Sequence, residues 1–182
     1  MDETLEHNTL CITSNNLYNK DTMAIHPEVK IGHTHLTVSD LERALQFYRD
    51  LLGFEVTARM GDSAVFLSAG GYHHHIGLNT WAGKGAKPAP EGHTGLYHFA
   101  ILYPSRKELA KAVKKLADAN YPLDGAADHG VSEAVYLRDP DNNGVELYVD
   151  RPQAEWKKNF NGEVIMVSEP LDIEGLMSEL DV

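Results

Sequence analysis

Ten histidines stand in a chain that carries a single cysteine, Cys11. Side chains alternate along a strand, so His33 and His35 share one face of an extended segment, as do His73 and His75, while His74 points the other way. An internal repeat sharpens this set. AVFL at 64–67 recurs as AVYL at 134–137, His33 falls on His98, and His75 falls on Glu146. The offsets differ only by a few loop residues, as a duplicated module shows once its loops diverge. If each module's sheet curls, three imidazoles and one carboxylate converge. Two imidazoles and a carboxylate with open positions suit non-haem Fe(II) oxygen chemistry. Four protein ligands suit a Lewis-acid isomerase using Zn(II), Ni(II) or Co(II). The choice turns on His75, as a fourth ligand, a base beside the metal, or a substrate contact.

The elements that must position these residues are legible in outline. Ile31–Val38 alternates as a strand, and Ser39-Asp-Leu-Glu42 reads as a capping box opening a helix with apolar positions Leu41, Ala44, Leu45, Tyr48, Leu51 and Leu52, stopped at Gly53. Phe54–Arg59, Ser63–Ser68 and Tyr72–Asn79 follow as strands. The same order recurs with Leu96–Leu102 as a strand, a second capping box at Ser105–Glu108 opening the helix ELAKAVKKLADAN, then Pro122–Ala126, AVYL, the turn DPDNNG and VELYV. The expected fold is α+β, with paired βαβββ modules forming a curved mixed sheet around a metal site. Residues 1–27 read as a flexible extension, with Met23 a candidate natural start. Residues 28–152 form the domain, with modules 28–81 and 96–150, and 153–182 form a tail with a short helix from about Asp172. The Gly- and Pro-rich run 82–95 reads as a linker rather than an active-site lid.

Composition narrows the function. The chain of 182 residues is 42% hydrophobic and 24% charged, ordinary for a globular protein with a real core. One cysteine excludes an internal disulfide and a thiolate zinc module. A net charge of −11 without a basic stripe argues against nucleic acid and against an anionic membrane surface. No apolar run or leader pattern is present, so the expected place is the cytoplasm and the expected partner a small molecule.

The runs GHTHLTVSDLERALQFYRDLLGF, LYHFAIL and YLRDPDNNGVELY resemble the vicinal oxygen chelate superfamily, which includes glyoxalase I, extradiol dioxygenases and bleomycin-resistance proteins. The resemblance covers about residues 28 to 152 and is nearest to the catechol 2,3-dioxygenase type. It implies Fe(II) held by His33, His98 and Glu146, with Mn(II), Zn(II) or Ni(II) as substitutes. Its extradiol members place a tyrosine ten residues before the ligand glutamate, which is Tyr136 here, and a histidine before that tyrosine, for which His129 is the candidate. The implied reaction is ring cleavage of a catechol-like aromatic diol by O2. Either His75 or His129 accepts the remaining diol proton, and Tyr136 donates a hydrogen bond to charge as it develops. A histidine replaces the glutamate that glyoxalase I carries at position 75, which weakens the reading of a glyoxalase-like isomerase or lyase. An intact ligand set argues against a third reading, a resistance protein that sequesters a small toxic molecule. A homodimer is expected, as for small members of the superfamily.

The remaining candidates have plainer roles. His35 and His73 read as cavity liners, and His7, His26, His74 and His93 as surface residues. Asn79 and Trp81 read as a strand end over the core, Arg138 and Asp139 as fixing the DPDNNG turn, and Lys111, Lys114 and Lys115 as a solvated helix face.

Overall fold

The computed structural model describes residues 24–90 and 92–181. The expectations for the first 22 residues and for Met23 therefore lie outside the described residues. The described chain divides after Ile31. The short N-terminal unit shows a turn in which Val29 N donates to His26 O (3.0 Å) and Glu28 N to His26 Nδ1 (3.2 Å).

From Gly32 onward the βαβββ order appears twice. The first module contains β1 (Thr34–Thr37), α1 (Leu41–Leu45), β2 (Glu55–Met60), β3 (Ala64–Ser68) and β4 (Ile76–Asn79), with sheet order β1-β4-β3-β2. The second contains β5 (Phe99–Leu102), α2 (Arg106–Asp118), β6 (Leu123–Asp128), β7 (Ser132–Arg138) and β8 (Gly144–Asp150). Its order is β5-β8-β7-β6, extended at the β6 edge by the two-residue β9 (Glu169–Pro170). In each module the first strand pairs parallel to the last and the others pair antiparallel, so both sheets are mixed.

Side-chain chemistry sets the helix boundaries. The first helix is capped by Asp40 rather than Ser39: the Asp40 carboxylate accepts from Arg43 N (3.0 Å), while Ser39 Oγ accepts from Arg43 Nη2 (2.7 Å). An aspartate satisfies the orphan amide and also favours the positive helix start. α1 then widens into a π-helical segment, Gln46–Leu51, which turns Phe47 inward beside Tyr48. This extra residue per turn explains why Phe47, absent from the regular apolar spacing, is buried. Gly53, at φ +92°, ends the segment as expected. In the second module Ser105 caps α2 by accepting from Glu108 N (3.2 Å).

One apolar cluster joins the modules. It includes Leu45, Phe47, Leu67, Leu78, Leu109, Leu116, Leu137, Leu147 and Leu176. Each such fully buried side chain contributes roughly 1.5–3 kcal/mol. Leu176 comes from α3 (Ile173–Ser178), capped by Asp172, so the tail helix is part of the core. Arg106 ties it down, donating from Nη1 to Glu179 Oε1 (2.9 Å) and Gly175 O (3.2 Å), and from Nε to the buried Glu133 Oε2 (2.6 Å). Among the described residues no helix is long and apolar enough to cross a membrane.

Candidate active site

His33 and His98 each stand one residue before the first strand of their module, because β1 starts at Thr34 and β5 at Phe99 rather than at the earlier positions expected. Each histidine thus takes the same place relative to the first strand of its own module. Around His98 the second sheet gathers a connected group. Register places Ala100 and Tyr136 on either side of Glu146. His98 Nε2 lies 2.9 Å from Glu146 Oε2. Tyr136 Oη lies 3.3 Å from Glu146 Oε1 and 2.5 Å from His129 Nε2. His129 Nδ1 in turn meets the carbonyl oxygen of Val167 at 2.8 Å. His98, Glu146, Tyr136 and His129 are therefore one chain of contacts, although His129 precedes Tyr136 by only seven residues.

The electrostatics suit a hydrogen-bond donor. Burial, then the Glu146 charge, pushes the Tyr136 phenol up to about 12. It keeps its proton at neutral pH, with two acceptors in reach. A cavity of about 200 Å³ opens beside His98 and Tyr136, lined also by Tyr97, Asp124, Gly125 and Arg138.

Close approach and a tight turn hold this group. A Cβ on Gly144 would stand 2.0 Å from Tyr97 O and 3.1 Å from His98 Cα, so only glycine lets β8 start this near the His98 backbone. The preceding turn is fixed by the buried Asp139 carboxylate. It accepts from Asp141 N (2.9 Å), Asn143 N (2.8 Å), Asn143 Nδ2 (2.9 Å) and the Tyr48 hydroxyl (2.8 Å) of the other module. Arg43 of α1 also pairs with Asp141. Arg138 donates from Nε to Asp124 Oδ2 (2.7 Å), and its carbonyl accepts from Tyr121 Oη (2.7 Å).

The first module corrects two expectations. Residues 72–75 are not extended; the strand starts at Ile76, so alternation does not govern the histidine triplet. His73 and His74 instead turn toward each other, Nδ1 to Nδ1 at 2.7 Å. His74 is half-buried, with its ring 4.5 Å from that of the exposed His33, and burial followed by His33 and His73 holds it below the ordinary imidazole value.

The second correction concerns His75. Phe66, the counterpart of Tyr136, pairs with Gly77, and His35, the counterpart of Ala100, pairs with Gly77 as well. Gly77, not His75, therefore occupies the position of Glu146. The space a Cβ would take there is filled by the His35 ring, 2.9 Å away, which packs against Phe66 and Trp81 at centroid distances of 5.8 and 5.2 Å. His75 lies just before the strand, with Nδ1 3.0 Å from Ser68 Oγ and its amide donating to Leu67 O (2.8 Å).

An imidazole nitrogen and a carboxylate oxygen that converge, without a thiolate, suit a divalent first-row cation. Among the described residues His98 Nδ1 is buried without a hydrogen-bond partner, so the ring nitrogen open to a metal is Nε2, the one that faces Glu146. His33 is not brought to the pair. Among the described residues no three His, Cys, Asp or Glu side chains are grouped to hold a metal ion. Three contributors had escaped the sequence reading: the Val167 carbonyl, Gly144 and Gly77. A backbone acceptor leaves no side-chain signature, and a glycine's close approach is visible only once register is known.

A family model described as Glyoxalase/Bleomycin resistance protein/Dioxygenase superfamily matches residues 30–147. The chain is 43% identical over 157 residues to a catechol-2,3-dioxygenase of Bacillus subtilis, covering 86% of this chain and 54% of that protein. It is 31% identical over 121 residues to biphenyl-2,3-diol 1,2-dioxygenase 3 of Rhodococcus globerulus, covering 66% of this chain and 63% of that protein. The chain thus spans between half and two thirds of the length of these relatives. Among solved structures, a lactoylglutathione lyase from Agrobacterium tumefaciens matches with TM-score 0.53 and 25% identity, over 68% of this chain and 96% of the other.

Proposed function

Because the chain belongs to the Glyoxalase/Bleomycin resistance protein/Dioxygenase superfamily, we propose that it is a metal-dependent, extradiol-type dioxygenase opening the ring of a catechol-like aromatic diol with O2. The observation that carries this reading is the line of contacts from His98 through Glu146 and Tyr136 to His129. Support comes also from the two diol dioxygenases among the relatives.

In this reading His33, His98 and Glu146 hold Fe(II), with Mn(II), Zn(II) or Ni(II) as substitutes. A cation held there would acidify a chelated vicinal diol and bring O2 beside it. The chain's own residues do the rest. Tyr136 keeps its phenolic proton and with it donates a hydrogen bond to substrate oxygen as negative charge develops. His129 Nε2, against the Tyr136 hydroxyl, takes up or returns a proton through it. His75, whose Nδ1 meets Ser68 Oγ, is the alternative acceptor for that proton. The aromatic group of His35, Phe66 and Trp81 offers a flat apolar wall.

His33 completes the ligand set in a homodimer, where the first sheet of one copy faces the second sheet of the other. Two features support this. No three-ligand group forms among the described residues of one chain. The same regions also leave large apolar side chains exposed, with Trp81 at 60%, Leu102 at 53% and Tyr97 at 79%.

The test is anaerobic purification with metal analysis, followed by O2 uptake on adding catechol. Fe(II) or Mn(II) with about one O2 consumed per catechol fits the proposal. Zn(II) or Ni(II) with no uptake favours the second reading, a glyoxalase-like lyase, which the likeness to the lactoylglutathione lyase supports. No bound metal of any kind sinks both.

A further inference from the structure

We infer that the C-terminal segment is a strap that positions His129, with the backbone carbonyl of Val167 deciding which ring nitrogen carries the hydrogen. The use of the ring rests on the proposed dioxygenase reading; the geometry of the strap does not.

His129 is the first residue after β6, in the short loop that leads to β7. Two hydrogen bonds join it to one residue of the tail. Val167 N donates to His129 O (3.1 Å), and His129 Nδ1 meets Val167 O at 2.8 Å. The bridge continues as β9, where Glu169 pairs with Asp128 and Pro170 with Ala127. Beyond it, α3 anchors the strap through buried Leu176 and the Arg106 contacts to Gly175 and Glu179. Before it, the segment folds back on itself: Ile165 N donates to Lys157 O (2.9 Å), and Lys158 bridges to Val164. Both ends are thus held, and Gly130, at φ +74°, supplies the left-handed turn that carries the loop past Val167.

A carbonyl oxygen only accepts, so the hydrogen of this bond belongs to His129 Nδ1. In a neutral imidazole the other nitrogen is then the acceptor. Nε2, 2.5 Å from Tyr136 Oη, turns its lone pair to the phenol. With the hydrogen on Nε2 instead, the ring would offer a proton to Tyr136 and could not take one from it. Val167 is therefore a positioning residue. It makes His129 a directed acceptor and links the tail to the site without touching substrate.

The experiment uses the full chain labelled with ¹⁵N-histidine, and a His129→Gln sample to identify the His129 signals. Long-range ¹H–¹⁵N correlations above the imidazole titration range read the tautomer directly. The expected pattern is an Nδ1–H ring in the unsubstituted chain. Val167→Pro keeps the carbonyl but removes the amide that donates to His129 O, one of the two bonds that hold the strap against this residue; the carbonyl then draws away from Nδ1, and the share of the Nε2–H form rises about fivefold, the scale of one ordinary hydrogen bond. Circular dichroism checks that the variant is folded. An Nε2–H ring in the unsubstituted chain overturns the inference, and so does an unchanged ratio in folded Val167→Pro. If that variant does not fold, the unsubstituted chain decides alone. O2 uptake with catechol, measured on the same sample, reads the enzymatic proposal separately. An Nδ1–H ring without uptake sinks the dioxygenase and keeps the strap; uptake with an Nε2–H ring does the reverse.

Discussion

Tyr136 on β7 stands directly opposite Glu146 on β8, with its hydroxyl 3.3 Å from the carboxylate. In the first module the same pair of positions holds Phe66 opposite Gly77. The repeat therefore keeps its backbone and changes its chemistry, placing donor and acid on one sheet only. Tyr136→Phe tests the donor. It removes one hydroxyl from a group whose other members stay in place, so kcat should fall about 10²–10³-fold while the bound metal per chain stays the same. Turnover within twofold of the unsubstituted enzyme would remove Tyr136 from the mechanism.

Gly144 tests how closely His98 must be held. In Gly144→Ala the new methyl group meets Tyr97 O and the His98 backbone, and the strand or the histidine must shift. Metal affinity should weaken about 10–100-fold, the scale seen when support around a ligand is lost. Competition with a chelator measures it, and an unchanged dissociation constant contradicts the assigned role.

The proposed sharing of the centre between copies makes a prediction about mixtures. His33→Ala, His98→Ala and Glu146→Ala should each lose bound metal as pure proteins. If each centre takes His33 from one copy and His98 with Glu146 from the other, co-refolding His33→Ala with His98→Ala rebuilds one intact centre in every mixed dimer. Metal and activity should return to a substantial fraction of the unsubstituted level. Their failure to return in a mixture shown to contain mixed dimers would refute the arrangement across copies.

The turn before β8 depends on a bond between modules. Tyr48→Phe removes one of four donors to buried Asp139 and should cost about 1–3 kcal/mol, read by chemical denaturation. Burial and the Asp139 charge hold the Tyr48 phenol well above its ordinary value, so this donor is intact at every working pH.

Acid stability has an identifiable contributor. Hydrogen bonding from Arg151 holds the Asp128 carboxyl below its ordinary value, helped by Gly130 N–H and opposed by desolvation. A depressed folded value means the stabilisation is fully present above the unfolded value of about 3.9. It is lost as pH falls through the lower folded value. Melting temperature plotted against pH should therefore drop less steeply below about pH 4 in Asp128→Asn. An identical acid limb in both proteins would show that Asp128 contributes nothing there.

That Tyr136 and Glu146 would meet was legible through the family resemblance, because the spacing it supplies is local. The ten-residue spacing of Tyr136 and Glu146 spans one hairpin, and the turn residues of DPDNNG announce that hairpin. The first half misled because the triplet at 73–75 has no hydrophobic pattern to mark where the strand begins. Starting it at Tyr72 gave His75 an inward face and put it on Glu146, whereas pairing of Phe66 and His35 with Gly77 moves the equivalence two residues along. The place of β9 was hidden for a different reason: two residues show no period, and what Val167 contributes is its main chain.

If the proposed ring opening holds, the His35 ring over Gly77 has a consequence for regiochemistry. A repeat with the same side chains in both halves would let an unsymmetrical ring bind in two poses related by a half-turn and equal in energy. With a carboxylate and a phenol at one end and an aromatic edge at the other, the two poses differ in energy. A substituted diol would then be cut on one chosen side of its hydroxyl pair.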